Sequence, residues 1–196
     1  MSVIAVPSGL KPNSFAMRQQ TAQISFASPY GGSEQVLDMG NERWMISMSL
    51  ANRTFADAAR IEAFIAACRG MTNTVALYHW IRKQPRGTMR GTPQTNGVTA
   101  GAASILIYTT AGATLLAGDM FGAGGLLFQV AADCVANGSG ELLTPIVNRV
   151  RRDLAPLTPV VWDKPTAPFR LISNSAVQYI PGYATEVSLD FAEAVA

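Results

Sequence analysis

The sequence predicts a mainly β protein with one α-helix, built as a β-sandwich or barrel core module carrying a small inserted β-barrel. Three observations predict it. Apolar residues recur at period two in Trp44-Met-Ile-Ser-Met-Ser-Leu50 and again over 185–191, which marks strands with one buried face. Only the segment 55–69 carries helical spacing. Eleven of the 17 glycines fall between Gly87 and Gly140, where they separate short apolar runs, the pattern of a small barrel or sandwich.

In chain order, Glu34 to Asp38 reads as a strand that ends at the turn signal Met39-Gly-Asn-Glu42. Trp44, Ile46, Met48 and Leu50 then share one strand face, with Trp44 as a core anchor. Thr54 caps the helix, and Asp57 three residues on stands in for the usual Glu of a capping box. Ala58, Ile61, Ile65 and Cys68 follow helical spacing beside the anchor Phe64. Gly70 occupies the place of a left-handed C-terminal residue, so the helix spans 55–69 with Arg60, Glu62 and Arg69 facing solvent or a neighbour. Val75–Tyr78 returns as a strand.

Short runs at Ser104–Tyr108, Leu115–Leu116, Leu126–Val130, Glu141–Val147 and Val160–Trp162 follow, the last with the anchor Trp162. Proline-bounded segments, Pro85 to Pro93 and Lys164 to Pro168, flank them. An insertion fits this layout: a module of 86–166 set into a first module made of 1–85 plus 167–196. One elongated β domain is the alternative. The C-terminal strand alternates Thr185, Val187, Leu189 and the anchor Phe191 with Glu186, Ser188 and Asp190, and its natural partners are the strands near Trp44 and Val75.

Charged residues make up 14% of the chain, against roughly 25% in an ordinary soluble domain. So few charges cover little surface, which points to burial against other subunits. The net charge of +2 is too small to argue for nucleic acid or an anionic membrane. No run approaches the roughly 18 apolar residues of a spanning helix, and no secretory pattern opens the chain. The expectation is a protein made in a cytoplasm. Cys68 and Cys134 lack metal-ligand spacing and read as buried small apolar residues. The sequons at Asn52 and Asn137 read as turn and cap chemistry.

Catalytic chemistry is thinly represented. The single His79 follows a strand beside Trp80 and reads as structural; no Gly-x-Ser-x-Gly elbow accompanies it. Gly122-Ala-Gly-Gly125 leads into a strand and lacks a following Gly-Lys-Ser/Thr, so it reads as a hairpin turn and not a phosphate loop. Asp119, Asp133 and Glu141 share no spacing that forces convergence on a glycosidase pair. No catalytic residue, cofactor or metal is expected.

The charge distribution is more informative. From Ala63 to Gly118 there is no acidic residue, while Arg69, Arg82, Lys83, Arg86 and Arg90 are present, and Arg149, Arg151 and Arg152 form a second basic cluster. These arginines lie in solvated linkers or meet acidic faces of neighbouring subunits, where bidentate guanidinium pairs fix orientation. Nucleic-acid binding is disfavoured because no aromatic interleaving accompanies them.

Several short motifs recur in a familiar order. Ser28-Pro29 with Gly31-Gly32 precedes Arg43-Trp44 at the head of a strand, and the helix ends in Ala63-Phe-Ile-Ala-Ala-Cys-Arg-Gly70. Pro85-Arg-Gly87, Ala117-Gly-Asp-Met-Phe121, Gly125-Leu-Leu-Phe-Gln-Val130 and a closing Phe191-Ala-Glu-Ala194 follow. This order resembles the distal tail protein family of long-tailed (siphovirus-type) bacteriophages of Gram-negative bacteria, over nearly the whole chain. The resemblance implies a homo-oligomeric ring, commonly a hexamer, at the virion tail tip, assembled in the host cytoplasm. Such a ring joins the tail tube protein to tail-tip hub and receptor-binding proteins, with DNA only as passing cargo and no membrane partner. It also implies an outer inserted module similar, in some relatives, to an oligonucleotide/oligosaccharide-binding (OB) fold. No catalytic motif carries over. Cys68 in the helix and the glycine density of 122–125 depart modestly from the pattern. The rival expectations are a tail terminator or completion protein, a glycan-binding module of the tail tip, and an enzyme. The glycan reading requires exposed aromatics, yet Tyr108, Phe121, Phe128 and Trp162 read as core-facing.

Overall fold

One-sided burial decides the first sheet. The computed structural model describes residues 2–8, 10–39 and 42–195. It begins with β1 (Val3–Ile4), β2 (Ser14–Gln20), β3 (Gln23–Ala27), β4 (Glu34–Asp38) and β5 (Arg43–Arg53), followed by α1 (Phe55–Cys68) and β6 (Thr74–Leu77). Next come β7 (Gln94–Val98), β8 (Ser104–Tyr108), β9 (Thr114–Leu115), β10 (Met120–Ala123) and β11 (Leu126–Gln129). β12 (Cys134–Val135), β13 (Glu141–Pro145), β14 (Leu154–Val161), β15 (Ala167–Asn174), β16 (Tyr179–Ile180) and β17 (Tyr183–Glu193) complete the order. The protein is thus mainly β with one helix. The expected turn at 39–42 includes Gly40 and Asn41, which lie outside the described residues.

A seven-stranded sheet has the order β1-β6-β15-β17-β5-β2, with β16 attached to β17. On β5 the alternate residues Trp44, Ile46, Met48 and Leu50 are buried, and on β17 Val187, Leu189 and Phe191. The two strands pair antiparallel from Ala184↔Arg53 to Ala192↔Met45. The expected adjacency of the C-terminal strand and the Val75 strand is corrected: β15 lies between them, bonded to β17 on one side and to β6 on the other. Ala167, Phe169 and Leu171 bury one face of β15, enough apolar surface to claim the central place.

Helix α1 lies on the buried face of this sheet, with Ala58, Ile61, Phe64 and Cys68 turned inward. The Thr54 side chain accepts from the Asp57 N–H at 3.2 Å, the N-cap bond that a Thr at this place supplies. The helix ends at Cys68, one residue before the expected Arg69. Arg69 itself takes the left-handed conformation (φ 48°), and Gly70 follows in the same region (φ 60°). Asn73 accounts for the early stop. Its backbone N–H reaches the Cys68 carbonyl at 3.2 Å and its side-chain amide the Ala67 carbonyl at 2.9 Å, so two helix-end acceptors are satisfied outside the helix.

The second, six-stranded sheet has the order β11-β10-β14-β7-β8-β13, and β9 pairs with β12 beside it. It encloses its own core of Met89, Ile105, Ile107, Phe121, Phe128 and Leu142. Gly124 and Gly125, both at positive φ, make the two-residue turn between β10 and β11, the turn that matches strand twist in a tight hairpin. All strands of the first sheet come from residues 3–77 and 167–193, and those of the second from 94–161.

Candidate assembly surfaces

The basic segment between β6 and β7 is neither a solvated linker nor a purely outward-facing arm. Its backbone wraps onto Asp119, which is buried on the turn before β10. The Asp119 carboxylate accepts from the N–H groups of Arg86 (2.9 Å), Gly87 (3.0 Å) and Leu116 (2.9 Å), and from Arg86 Nε at 3.3 Å. Burial by itself raises the Asp119 carboxyl, but these donors together hold it below the ordinary aspartate value. Gly87 passes so close to β9 that a Cβ there would sit 2.1 Å from the Thr114 carbonyl oxygen and 2.8 Å from Leu115 Cα. Backbone cannot swing aside as a side chain does. Gly87→Ala is therefore expected to cost about 3 kcal/mol in urea unfolding; a loss below about 0.5 kcal/mol would show that the segment can lift away from β9.

A polar junction binds the two sheets. Trp44 Nε1 donates to the Leu127 carbonyl at 3.0 Å, and Asn148 Nδ2 donates to the same oxygen at 2.9 Å. Glu193, at the end of β17, is buried and accepts from the Trp44 N–H at 3.0 Å and from the Arg151 guanidinium. Burial raises the Glu193 carboxyl above the usual glutamate value, outweighing the pull of the Trp44 N–H and of Arg151. Met120 and Leu127 join the apolar core beneath α1, so the contact between the sheets is also hydrophobic.

Of the seven arginines singled out in the sequence, five make side-chain bonds within the chain. Arg82 donates to the Gly118 carbonyl at 2.6 Å, and Arg86 to Asp119 and Ala117. Arg90 reaches the carbonyls of Pro85, Gly87 and Met89, and its guanidinium lies 5.0 Å from the Trp162 ring centroid. Arg151 pairs with Glu193 and Arg152 with the Gly124 carbonyl. Arg149 meets Glu42 through its backbone N–H, and Arg69 is the exposed helix cap. Arg151 is mostly buried and so is removed from any outward contact, whereas Arg86, with 63% of its side chain exposed, keeps donors for a neighbour. Of the four anchors, Trp44, Phe64 and Phe191 are buried; Trp162 is only half-buried, because Arg90 covers one face and its Nε1 bonds the Gly91 carbonyl.

The other chemistry-bearing residues do not converge. His79 is buried, with Arg82 N 2.9 Å from Nδ1, Arg82 Nε 3.1 Å from Nε2 and Phe15 edge-on at 5.0 Å. A neutral imidazole offers one lone pair, so only one of those two contacts is a hydrogen bond. Burial and the Arg82 charge lower His79 to about 4, which keeps it neutral at pH 7. Asp133 accepts from the Ala117 N–H and Glu141 from the Asn137 amide. Cys68 and Cys134 are free thiols, both raised by burial. Among the described residues no group of three or more His, Cys, Asp or Glu is placed to share a metal ion. Phe121 and Phe128 are fully buried, while Tyr108 is half-buried at the side of an open groove of about 390 Å³ between 90–94 and 108–110.

Among the described residues, two features face outward. β2 ends the seven-stranded sheet with a neighbour on one side only. Between β2 and β5 the chain leaves the sheet as a two-stranded hairpin, β3–β4, every residue of which is exposed. No protein-family model matches the chain, and no curated protein matches it.

Proposed function

We propose that this chain is a structural, non-enzymatic component of a bacteriophage tail tip, of the distal-tail kind. It works by closing into a homo-oligomeric ring, commonly a hexamer, between the tail tube and the hub and receptor-binding proteins. We read 1–85 plus 167–196 as the ring-forming module and 86–166 as an inserted module beside it. The observation that carries the reading is the seven-residue strand β2 at the edge of the first sheet, followed by a hairpin whose Ile24, Phe26, Val36 and Leu37 are exposed. An open strand edge offers backbone donors and acceptors to another chain, and a head-to-tail contact of this kind closes into a ring when the rotation between copies is fixed. The shortage of charge and the ordered motifs that resemble the distal tail family support the same reading.

Immunogold labelling of intact virions tests it. Label at the tail tip is the expected result. Label at the capsid-proximal end would transfer the protein to the tail terminators, and unlabelled particles would remove it from the virion.

A further inference from the structure

We propose that the β3–β4 hairpin is an assembly arm whose seat is the paired entry and exit linkers of the second sheet on the next copy of the chain. The proposal rests on the self-assembly reading above and names the surfaces that meet.

Cross-strand register gives the arm two different faces. Ile24 stands opposite Leu37 and Phe26 opposite Gln35, so Ile24, Phe26 and Leu37 share one face, with exposures of 45%, 57% and 48%. Glu34, Val36 and Asp38 stand opposite Ala27, Ser25 and Gln23 on the other face, so both acidic residues of the hairpin lie there. An isolated two-stranded hairpin is marginal in water, and an apolar strip on it is stabilised only by a covering surface. The arm is also of one sign: residues 21–39 hold Glu34 and Asp38 and no Lys or Arg.

A surface of opposite sign lies on the same molecule. The entry and exit linkers run side by side, held by the Lys164 N–H on the Lys83 carbonyl at 2.7 Å and by Gln84 on Asp163 at 3.1 Å. They expose Lys83, Arg86, Arg90 and Lys164, with the apolar Ile81 and Val161 among them.

The strand order separates arm and seat in a useful way. The arm joins β2 to β5 at one lateral edge of the first sheet, while the linkers leave β6 and return to β15 toward the other edge. Both lie at the same end of the strands, because Gln20↔Arg43, Ala192↔Met45, Phe169↔Glu193 and Ala167↔Leu77 are all terminal pairs at that end. Copies arranged side by side therefore bring the arm of one level with the linkers of the next. The apolar strip of Ile24, Phe26 and Leu37 then faces Ile81 and Val161, and the negative sign of the arm as a whole draws it toward the basic linkers.

The test places the photoreactive residue p-benzoylphenylalanine at position 26 of the full chain. Isotopically light and heavy protein are mixed, irradiated at about 0.1 mM, and mapped by peptide mass spectrometry, with light scattering on the same sample. Light-to-heavy adducts from position 26 into 78–93 or 160–166 are expected, together with self-association weakened about tenfold in Ile24→Ser/Phe26→Ser. Oligomers whose adducts fall elsewhere, or only within one chain, would overturn the arm assignment and leave the ring reading standing. A monomer with no mixed adduct would overturn both.

Discussion

Asp119→Asn is expected to lower the unfolding free energy by about 3 kcal/mol at neutral pH, since buried N–H groups left without an acceptor cost about 1–3 kcal/mol each. The carboxylate serves three backbone N–H groups from two separate stretches of chain, 86–87 and 116. An amide in its place keeps one acceptor oxygen and turns an NH2 donor toward N–H donors that already face inward. The pH dependence has a definite sign. The Asp119 carboxyl is held below its ordinary value of 3.8, so its contribution is present above that value and lost as pH falls through the folded-state value. Urea titrations should therefore show the gap between the parent protein and Asp119→Asn narrowing in strong acid. An equal gap at pH 7 and at low pH would mean that the anion itself contributes nothing.

Arg151→Ala is expected to cost a comparable amount, about 3 kcal/mol at neutral pH, because it leaves the Glu193 carboxylate buried without its cation. Here the sign runs the other way. The Glu193 carboxyl is raised above 4.5 in the folded protein, so its contribution is complete below 4.5 and is lost as pH rises through the folded-state value. Removing Arg151 raises the carboxyl further and extends that loss to higher pH. The deficit of the variant should grow from pH 5 to pH 8. Glu193→Gln preserves an acceptor for the Trp44 N–H without a buried charge, and its loss should be smaller and flat over the same range. A deficit for Arg151→Ala that shrinks with rising pH would refute the account of the junction.

What the sequence made legible follows from local geometry. β5, β17 and α1 could be read because one face of each is buried and the burial shows as a period. β4 and β8 were bounded by clear turn chemistry and match the expected limits residue for residue. The hairpin turn at Gly124-Gly125 was equally local. β15 went unread although Ala167, Phe169 and Leu171 alternate, because Pro165 and Pro168 gave it the look of a linker. β2 was hidden by half-burial: Phe15 and Met17 pack on the core from its margin.

The polar centres were out of reach for a different reason. Asp119 looks like an ordinary turn aspartate, and two of its three backbone donors, Arg86 and Gly87, lie more than thirty positions earlier in the chain. The bonds the arginines make within the chain were out of reach as well. A basic stretch free of acids looks solvent-facing or partner-facing, but backbone carbonyls, invisible as charges in a sequence, take up the guanidinium donors of Arg82, Arg90 and Arg152. The exposure of Ile24, Phe26 and Leu37 was hidden because an apolar alternation in sequence does not by itself say whether the face is covered within the fold.

β17 is a central strand of its sheet and the last strand in the described chain. During synthesis, β5 and α1 leave the ribosome long before the segment that separates β5 from β15. Until then the edge of β5 that will pair with β17 stays open, with the core under α1 half-built, while the glycine-rich barrel can already collapse on its local hairpins. Late closure of this kind leaves the first core incomplete until β17 has been made. Premature chain release would then yield aggregates rather than a smaller working protein.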